Sequence, residues 1–565
     1  MASRVKPILE LENVTYRPSE AARDLFSGFT LQIREGEFLA LLGPSGAGKS
    51  TLALLMRGLR KPQAGKVFFR GRDIFALAPE ERLAIGLVMQ NPESQRLGIT
   101  VEEDVAFGLR CRGIQERKAV EEALATVGLL GMEKTPVIQL SGGQKQCLSL
   151  AAILALKPEV LVLDEPATML DPLARRNFVR LISHLHRQGR TVVYITHSLE
   201  EVEAAERAVV IVAGKIVFDG PMAELRRVIL SYYREWGLRL PFSWQVEALL
   251  RKKNFFPLSR LEEKIKKEKG AIAQKRKTPL ATPVITAEKV GYSYYSGTPF
   301  VREALKEVTA TVNKGDRVVL IGPMAAGKST FLQLVKALLL PTQGKLEVAG
   351  KNPAVKRERR EIMGLTGLVF QYPEEQFAGA TVAEELRIGL KTRRLTKEKE
   401  EEKVKEAAML AGLADKLTTP VRCLSGGEKR KLALVGVLTL EPEILLLDEP
   451  LVGLDGRGLE VFLALLIKAG GHGRTTLVTL HDLEYLPLLA EKILLFHQGR
   501  VSGPFSLEEL VGGQEQLLKE IGLELPLNLQ LWGYLKRRGY HLPPWAGAEE
   551  MVEVFCREVR GGEGR

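Results

Sequence analysis

Nine residues, Gly43-Pro44-Ser45-Gly46-Ala47-Gly48-Lys49-Ser50-Thr51, stand between the apolar run Phe38–Leu42 and the apolar residues Leu52–Met56. They fit the pattern GxxxxGK[ST], which demands a buried strand, a tight loop and a helix in that order and so restricts the fold severely. Glycines without a Cβ let successive backbone N–H groups turn inward around phosphate oxygens, and the following helix adds the positive end of its dipole. Lys49 can then reach β- and γ-phosphates while the Ser50 hydroxyl takes a place on Mg²⁺. The plain alternative is a Gly-rich turn that caps a helix. A second copy, Gly322-Pro323-Met324-Ala325-Ala326-Gly327-Lys328-Ser329-Thr330, weakens it.

A chain of 565 residues exceeds one ordinary core, and about 150 residues per domain would suggest three or four units. The repeat reduces these to two large halves. An apolar content of 45% and a charged content of 27% suit a soluble globular protein. No apolar run approaches the roughly 18 residues of a membrane span, and Met1–Leu11 lacks a signal-peptide core, so the chain is expected on the cytosolic side. Cys111, Cys147, Cys423 and Cys556 form no CxxC pair, which argues against zinc or an iron–sulfur cluster. Of the net charge of +12, residues 251–277 supply +8, from eleven Lys/Arg against three Glu. The remainder is too small for a general nucleic-acid surface. That tract reads as a solvated basic linker, with anionic lipid headgroups as a second possible partner.

Along the first half, Ile8–Thr15, Phe29–Ile33 and Lys66–Phe69 have strand character, and Gln90 ends an apolar strand and opens the polar loop Gln90-Asn91-Pro92-Glu93-Ser94-Gln95. Helical spacing over Val101–Arg110 and Lys118–Val127 predicts a mostly helical subdomain near 100–135. Leu140-Ser141-Gly142-Gly143-Gln144 opens a Leu/Ala-rich helix reaching Leu156. Ser141 suits an ordinary N-cap, but two glycines weaken a first turn and instead suit a helix end that an anion approaches closely. Leu161-Val162-Leu163-Asp164-Glu165-Pro166 is a strand ending in two carboxylates that point differently. Asp164 can hold Mg²⁺ through water, and Glu165 can orient or deprotonate an attacking water. Thr191–Ile195 ends in Thr196-His197; taken singly, His197 reads as structural.

The second half repeats these landmarks in order. Lys49 maps to Lys328 with an offset of 279, and Ser141, Asp164 and His197 map to Ser425, Asp448 and His481 with an offset of 284. Gln371-Tyr372-Pro373-Glu374-Glu375-Gln376, Leu424-Ser425-Gly426-Gly427-Glu428, Asp448-Glu449-Pro450 and Thr479-Leu480-His481 complete the set, and Gly237-Leu238-Arg239-Leu240-Pro241 returns as Gly522-Leu523-Glu524-Leu525-Pro526.

With these motifs the chain resembles a tandem pair of ATP-binding cassette ATPase domains. The QxPExQ loops and the GLxLP tails resemble the energy-coupling-factor (ECF) branch, whose ATPases drive uptake of vitamins and of transition-metal ions such as cobalt and nickel. The resemblance implies an α/β fold: two P-loop NTPase domains, each with a RecA-like core, an antiparallel β subdomain, a helical signature subdomain and a small C-terminal extension. The expected boundaries are a first cassette over 5–222, its extension over 223–256, the basic linker over 257–283, a second cassette over 284–504 and its extension over 505–565.

The family's mechanism implies two ATP molecules, each held with Mg²⁺ between the phosphate loop of one cassette and the signature of the other. One site would pair Lys49, Ser50, Gln90, Asp164, Glu165 and His197 with Ser425–Gly427; the other would pair Lys328, Ser329, Gln371, Asp448, Glu449 and His481 with Ser141–Gly143. By similarity Gln90 and Gln371 sense Mg²⁺ and the attacking water, His197 and His481 contact the γ-phosphate, and Asp171 and Asp455 fall at the D-loop. The aromatic that stacks on adenine in the family is matched by Tyr294, whereas the first half offers Pro18 with Tyr16 two residues earlier. Ala325 in place of Gly46 and Glu428 in place of Gln144 depart from the pattern, and unequal sites are expected, the Lys49 site the faster. The resemblance further implies a separate transmembrane coupling subunit like the ECF T-component, a substrate-binding membrane subunit, a position on the cytoplasmic face of the membrane, and pairing of the two cassettes within one chain. A soluble tandem-cassette translation factor acting on ribosomes is the rival reading. That branch carries TNHLD where this chain has Ala167-Thr168-Met169-Leu170-Asp171 and Leu451-Val452-Gly453-Leu454-Asp455.

Overall fold

Five-residue runs without a polar side chain, such as Phe38–Leu42, bury both faces, which is what a parallel strand covered by helices on either side requires. The computed structural model describes all residues except 1–6, 19–22, 115–116, 169, 254, 256, 268–281, 299–300, 392–394, 472 and 563–565. Two compact units result: Met1–Pro241 with Asp455–Arg457, and Phe242–Leu454 with Gly458–Arg565.

The elements of the first unit are β1 (Pro7–Tyr16), β2 (Phe26–Arg34), β3 (Phe38–Leu42), α1 (Lys49–Met56), β4 (Ala64–Phe69), β5 (Arg72–Asp73), β6 (Ile85–Val88), α2 (Val101–Cys111), α3 (Arg117–Thr126), α4 (Gly142–Leu154), β7 (Val160–Asp164), α5 (Pro172–Arg187), β8 (Thr191–Thr196), β9 (Arg207–Val212), β10 (Lys215–Pro221) and α6 (Met222–Tyr232). A six-stranded sheet runs in the order β10-β9-β3-β8-β7-β6. Its strands are parallel except β10, which pairs antiparallel with β9. The order places the C-terminal ends of β3, β6, β7 and β8 on one edge, where ligands of open α/β sheets bind. A separate antiparallel sheet, β2-β1-β4-β5, closes over the same core through Leu9, Leu11, Phe26, Leu31 and Ile33. Helices α2 and α3 pack on α4 to form the helical region predicted near 100–135.

The second unit contains α7 (Phe242–Lys252), α8 (Leu258–Lys267), β11 (Pro283–Tyr294), β12 (Arg302–Asn313), β13 (Arg317–Ile321), α9 (Lys328–Val335), β14 (Gln343–Val348), α10 (Lys356–Leu365), β15 (Thr366–Val369), α11 (Val382–Leu390), α12 (Lys397–Ala411), α13 (Gly426–Leu438), β16 (Ile444–Leu447), α14 (Gly456–Ala469), β17 (Thr475–Thr479), α15 (Leu486–Leu489), β18 (Lys492–His497), β19 (Arg500–Phe505), α16 (Leu507–Gly513), α17 (Glu515–Glu520), α18 (Leu527–Arg537) and α19 (Ala548–Gly562). Its large sheet, β15-β16-β17-β13-β18-β19, has the topology of the first when read from the other edge, and β12-β11-β14 forms its antiparallel layer.

The tails depart from the expected boundaries. The extension predicted over 223–256 divides after Pro241: α6 stays in the first unit, while α7 belongs to the second. The first ten-residue part of the supposed linker is the helix α8, with Leu261 and Ile265 buried; residues 268–281 of that linker lie outside the described residues. Helix α7 packs on α18 and α19, and α8 packs on α18. Val246, Leu250, Leu261 and Ile265 share one apolar core with Leu529, Trp532 and Phe555. Each such burial stabilises by roughly 1.5–3 kcal/mol relative to exposure, enough to override the basic composition that suggested a solvated strand of chain. Both GLxLP sequences are followed at once by an eleven-residue helix, α7 and α18, so the repeat extends into this module. Among the described residues no helix is long and apolar enough to cross a membrane.

Candidate functional site

In each half the glycine before the loop lysine has the left-handed backbone that only a residue without a side chain adopts freely: φ is +99° at Gly48 and +104° at Gly327. A Cβ there would lie 2.4 Å from Phe26 Cζ in the first half and 2.5 Å from Leu305 Cδ2 in the second. Position 46 is different. Gly46 has φ +80° with nothing within 4 Å of an added Cβ, and Ala325 occupies the equivalent turn at φ +59°. Ala325 therefore strains its turn without crowding the protein around it.

Both loop lysines are buried and fold back on their own loops. Lys49 Nζ donates to Gly43 O at 2.7 Å and Pro44 O at 2.9 Å, and Lys328 Nζ donates to Gly322 O at 2.7 Å and Pro323 O at 2.8 Å. Burial lowers the pKa of Lys49 while Glu165 and Asp164 pull it back up. The cation is thus held at the mouth of the loop, where a phosphate can replace carbonyl oxygens.

The sheet edge gathers the remaining residues. Glu165 follows β7 with φ +45°, and Glu449 follows β16 with φ +46°. A non-glycine residue in this region costs roughly 1–2 kcal/mol, so both halves hold the same strained carboxylate in place. Glu165 lies 3.8 Å from Lys49 Nζ and 3.3 Å from His197 Nδ1, accepts from Gln90 Nε2 at 3.4 Å and from Thr168 Oγ1 at 3.3 Å. Glu449 contacts His481 Nε2 and accepts from Gln371 Nε2 at 2.9 Å. The Glu165 carboxyl is pushed up by burial, but His197 and Lys49 outweigh that and hold it at about 2. The same balance, with His481, Lys328 and Arg430, lowers Glu449. These are ionised carboxylates suited to holding a water by its protons more than to removing one.

Asp164 and Asp448 sit one residue earlier, facing the loop serines. Ser329 Oγ donates to Asp448 Oδ1 at 3.0 Å and Thr479 Oγ1 donates to it at 2.8 Å. Asp164 is less well served: its buried Oδ1 has no hydrogen-bond partner. Burial raises its carboxyl to about 6, with the Ser50 hydroxyl acting in the other direction. A buried carboxylate oxygen in want of a positive partner, beside a hydroxyl, is the hard-oxygen donor set that Mg²⁺ takes.

The glutamine loops are braced by their second glutamine. Gln95 Oε1 accepts from Met89 N at 2.7 Å, and Gln376 Oε1 accepts from Phe370 N at 3.1 Å. Ser141 and Ser425 are genuine N-caps of α4 and α13, each in a reciprocal capping box with residue 144 or 428. The ordinary helix-cap reading of these serines is therefore correct as far as it goes. It leaves the Gly142-Gly143 and Gly426-Gly427 amides at helix starts that are partly buried, with only Gly426 of the four glycines exposed.

One expected position is not available. Tyr16 is buried in the apolar core of the first unit, paired in register with Phe26, so its ring offers no free face for a purine. Tyr294 is only partly buried and its hydroxyl lies 3.1 Å from Thr330 Oγ1, next to the second loop.

Sequence reading missed several residues. Lys145 bridges to Glu93 at 2.9 Å and Lys429 to Glu374 at 3.0 Å, tying each signature helix to its glutamine loop. That pair recurs in both halves and was open to discovery by aligning the repeat. Thr168 and Arg430 were not, since the equivalent positions are Val452 and Gln146. Arg430 is buried, donates to Glu449 O at 3.4 Å, and has its pKa lowered to about 10 by burial.

Residues 26–168 and 305–452 match the sequence profile of a family described as ABC transporter. A protein of Methanosarcina acetivorans named "Putative ABC transporter ATP-binding protein" is 30% identical over 98% of this chain and 95% of its own length. The "Putative HMP/thiamine import ATP-binding protein YkoD" of Bacillus subtilis is 30% identical over 92% of this chain and 95% of its own. A solved structure of cbiO1 from Clostridium perfringens, described as part of the ABC transporter complex cbiONQ, aligns at 27% identity with a TM-score of 0.38, over 44% of this chain and 99% of that one.

Proposed function

Because this chain belongs to the ABC transporter family and carries two of its ATPase domains in tandem, we propose that it is the energy-coupling subunit of an ECF-type importer for a vitamin or a transition-metal ion. The observation that carries this reading is the end-to-end similarity to a relative named for HMP/thiamine import, in a chain whose glutamine loops and GLxLP tails have the ECF form. ATP is the substrate. The loops at Lys49 and Lys328 would bind its phosphates, and each bound nucleotide would meet the signature serine and glycine amides of the other cassette, Ser425–Gly427 or Ser141–Gly143. Both cassettes would supply this from within one chain.

Mg²⁺ would be held by Ser50, Gln90 and Asp164, and by Ser329, Gln371 and Asp448, and when bound it neutralises charge on the transferred phosphoryl group. Glu165 and Glu449 hold the attacking water, and their low pKa keeps them ionised for that task. Gln90 and Gln371, hydrogen-bonded to these carboxylates, set their orientation and link them to loops that face a membrane partner. His197 and His481, each beside its carboxylate, would meet the γ-phosphate. Tyr294 would cover the adenine of the second site. Hydrolysis removes the group that joins phosphate loop to signature, so the cassettes separate and move a transmembrane coupling subunit, which in turn serves a substrate-binding membrane subunit. The chain would lie on the cytoplasmic face as a peripheral subunit.

The test is extraction of membranes in mild detergent with the full chain as bait. Co-purified small membrane proteins that stimulate its ATP hydrolysis are the expected result. Sedimentation with ribosomes, and stimulation by them alone, would instead support the translation-factor reading and overturn this one.

A further inference from the structure

The two signatures differ at a pair of positions, not at one. Gln144 in the first half lies with its Nε2 3.6 Å from Met132 Sδ, a contact between neutral groups. At the same offset of 284, the second half has Glu428 in place of Gln144 and Lys416 in place of Met132, and Lys416 Nζ lies 2.5 Å from Glu428 Oε1. The other carboxylate oxygen, Oε2, accepts from Ser425 N at 2.9 Å and from Ser425 Oγ at 3.0 Å. Among the described residues the Ser141 hydroxyl makes no such donation: it accepts from Gln144 N at 3.3 Å, and Gln144 Oε1 accepts from Ser141 N. The proton of Ser425 is thus already committed to an anion, and that of Ser141 is free for one.

A lone carboxylate at the start of α13 would repel any phosphate brought to that helix end. The ammonium of Lys416, 38% exposed, removes most of this repulsion and anchors the carboxylate at its far oxygen. We infer that Lys416 and Glu428 form a compensated latch on the second signature, in which Lys416 is a positioning residue that lets Ser425 receive a nucleotide phosphate despite the acidic residue beside it. The site served by this signature must exchange the Ser425–Glu428 hydrogen bond for one to phosphate, a step the first signature does not require. The inference rests on the reading above, in which Ser425 faces the nucleotide held by Lys49.

The test measures steady-state ATP hydrolysis by the full chain with Lys416→Met, Glu428→Gln and the double variant, each in a Glu449→Gln background, where the Lys49 site carries the turnover. Unmasking a unit charge a few ångströms from the phosphate is expected to raise the KM for ATP roughly tenfold in Lys416→Met, with a smaller change in kcat. Glu428→Gln is expected to lower KM, and the double variant, which rebuilds the Met132/Gln144 arrangement, to return to the parent value or below. Unchanged KM values for both single variants, or a double variant as impaired as Lys416→Met with an unaltered melting temperature, would overturn the latch. Repeating the series in a Glu165→Gln background separates the two claims: effects found there, and not in the first background, would overturn the assignment of Ser425 to the Lys49 nucleotide.

Discussion

Exchange of the loop residues at positions 46 and 325 gives the sharpest test of how the two phosphate loops differ. Ala325 holds φ +59°, and Gly46 holds φ +80° with open space around a would-be Cβ. An L-residue in this region costs about 1–2 kcal/mol relative to the right-handed one, while glycine's extra freedom in the unfolded chain costs roughly 0.4–1 kcal/mol. The difference makes Ala325→Gly stabilising by about 0.5–1 kcal/mol and Gly46→Ala destabilising by a similar amount. In a unit of a few hundred residues this corresponds to shifts of about 1–4 °C, in opposite directions, in calorimetric melting of the full chain. Turnover provides the second reading. If strain in the Ala325 turn is what slows the second site, Ala325→Gly raises hydrolysis in a Glu165→Gln background and Gly46→Ala lowers it in a Glu449→Gln background. The reversed pattern, Ala325→Gly lowering and Gly46→Ala raising the melting temperature, would refute the strain argument, since glycine entropy alone would then be deciding the outcome.

The remaining predictions concern the carboxylates and the tail. On the proposed role of Glu165 and Glu449 in holding the attacking water, the Glu165→Gln/Glu449→Gln double variant should lose at least about 100-fold in turnover; the single variants should leave unequal residual rates, and equal rates would count against asymmetric sites. Asp164 has its pKa raised from 3.8 to about 6 by burial, so protons compete with Mg²⁺ there: the Mg²⁺ concentration for half-maximal activity in a Glu449→Gln background should rise as pH falls below about 6 and stay level above about 7. Leu261→Ala removes a fully buried side chain of α8 and should destabilise the second unit by about 2–4 kcal/mol, read by calorimetry; a negligible shift would mean that the helix is not part of that core. Lys145→Met breaks a half-exposed ion pair with Glu93 and should cost under about 1 kcal/mol, so a large loss of activity with an unchanged melting temperature would assign the pair to communication between the loop and the signature helix.

Much of the site was legible because its parts are set by short-range rules. A phosphate loop needs its glycines where side chains would collide, Asp164 and Glu165 close an apolar strand, and Ser141 opens a helix; each is a local pattern with one structural outcome. The repeat then turned His197 from an isolated histidine into a matched position. Tyr16 was misread because neighbouring strand residues look alike in sequence, and which face of β1 points into the core depends on the register with β2. Thr168 and Arg430 escaped notice because they have no counterpart in the opposite half: Thr168 reaches Glu165 from three residues downstream in the same turn, and Arg430 reaches Glu449 from α13.

The amino-acid sequence alone determined the two phosphate loops, the carboxylates that follow their partner strands, and the order of landmarks shared by the halves, since strand, loop and helix propensities act over a few residues. Only the tertiary structure decided where the tail of the first half belongs, which signature serine has its proton engaged, and which of Glu165 and Glu449 keeps a buried arginine as neighbour. Those outcomes depend on which side chains meet in space, whether three residues apart, as Ser425 and Glu428 are, or far apart along the chain, and there burial and paired charge outweigh what local composition suggests.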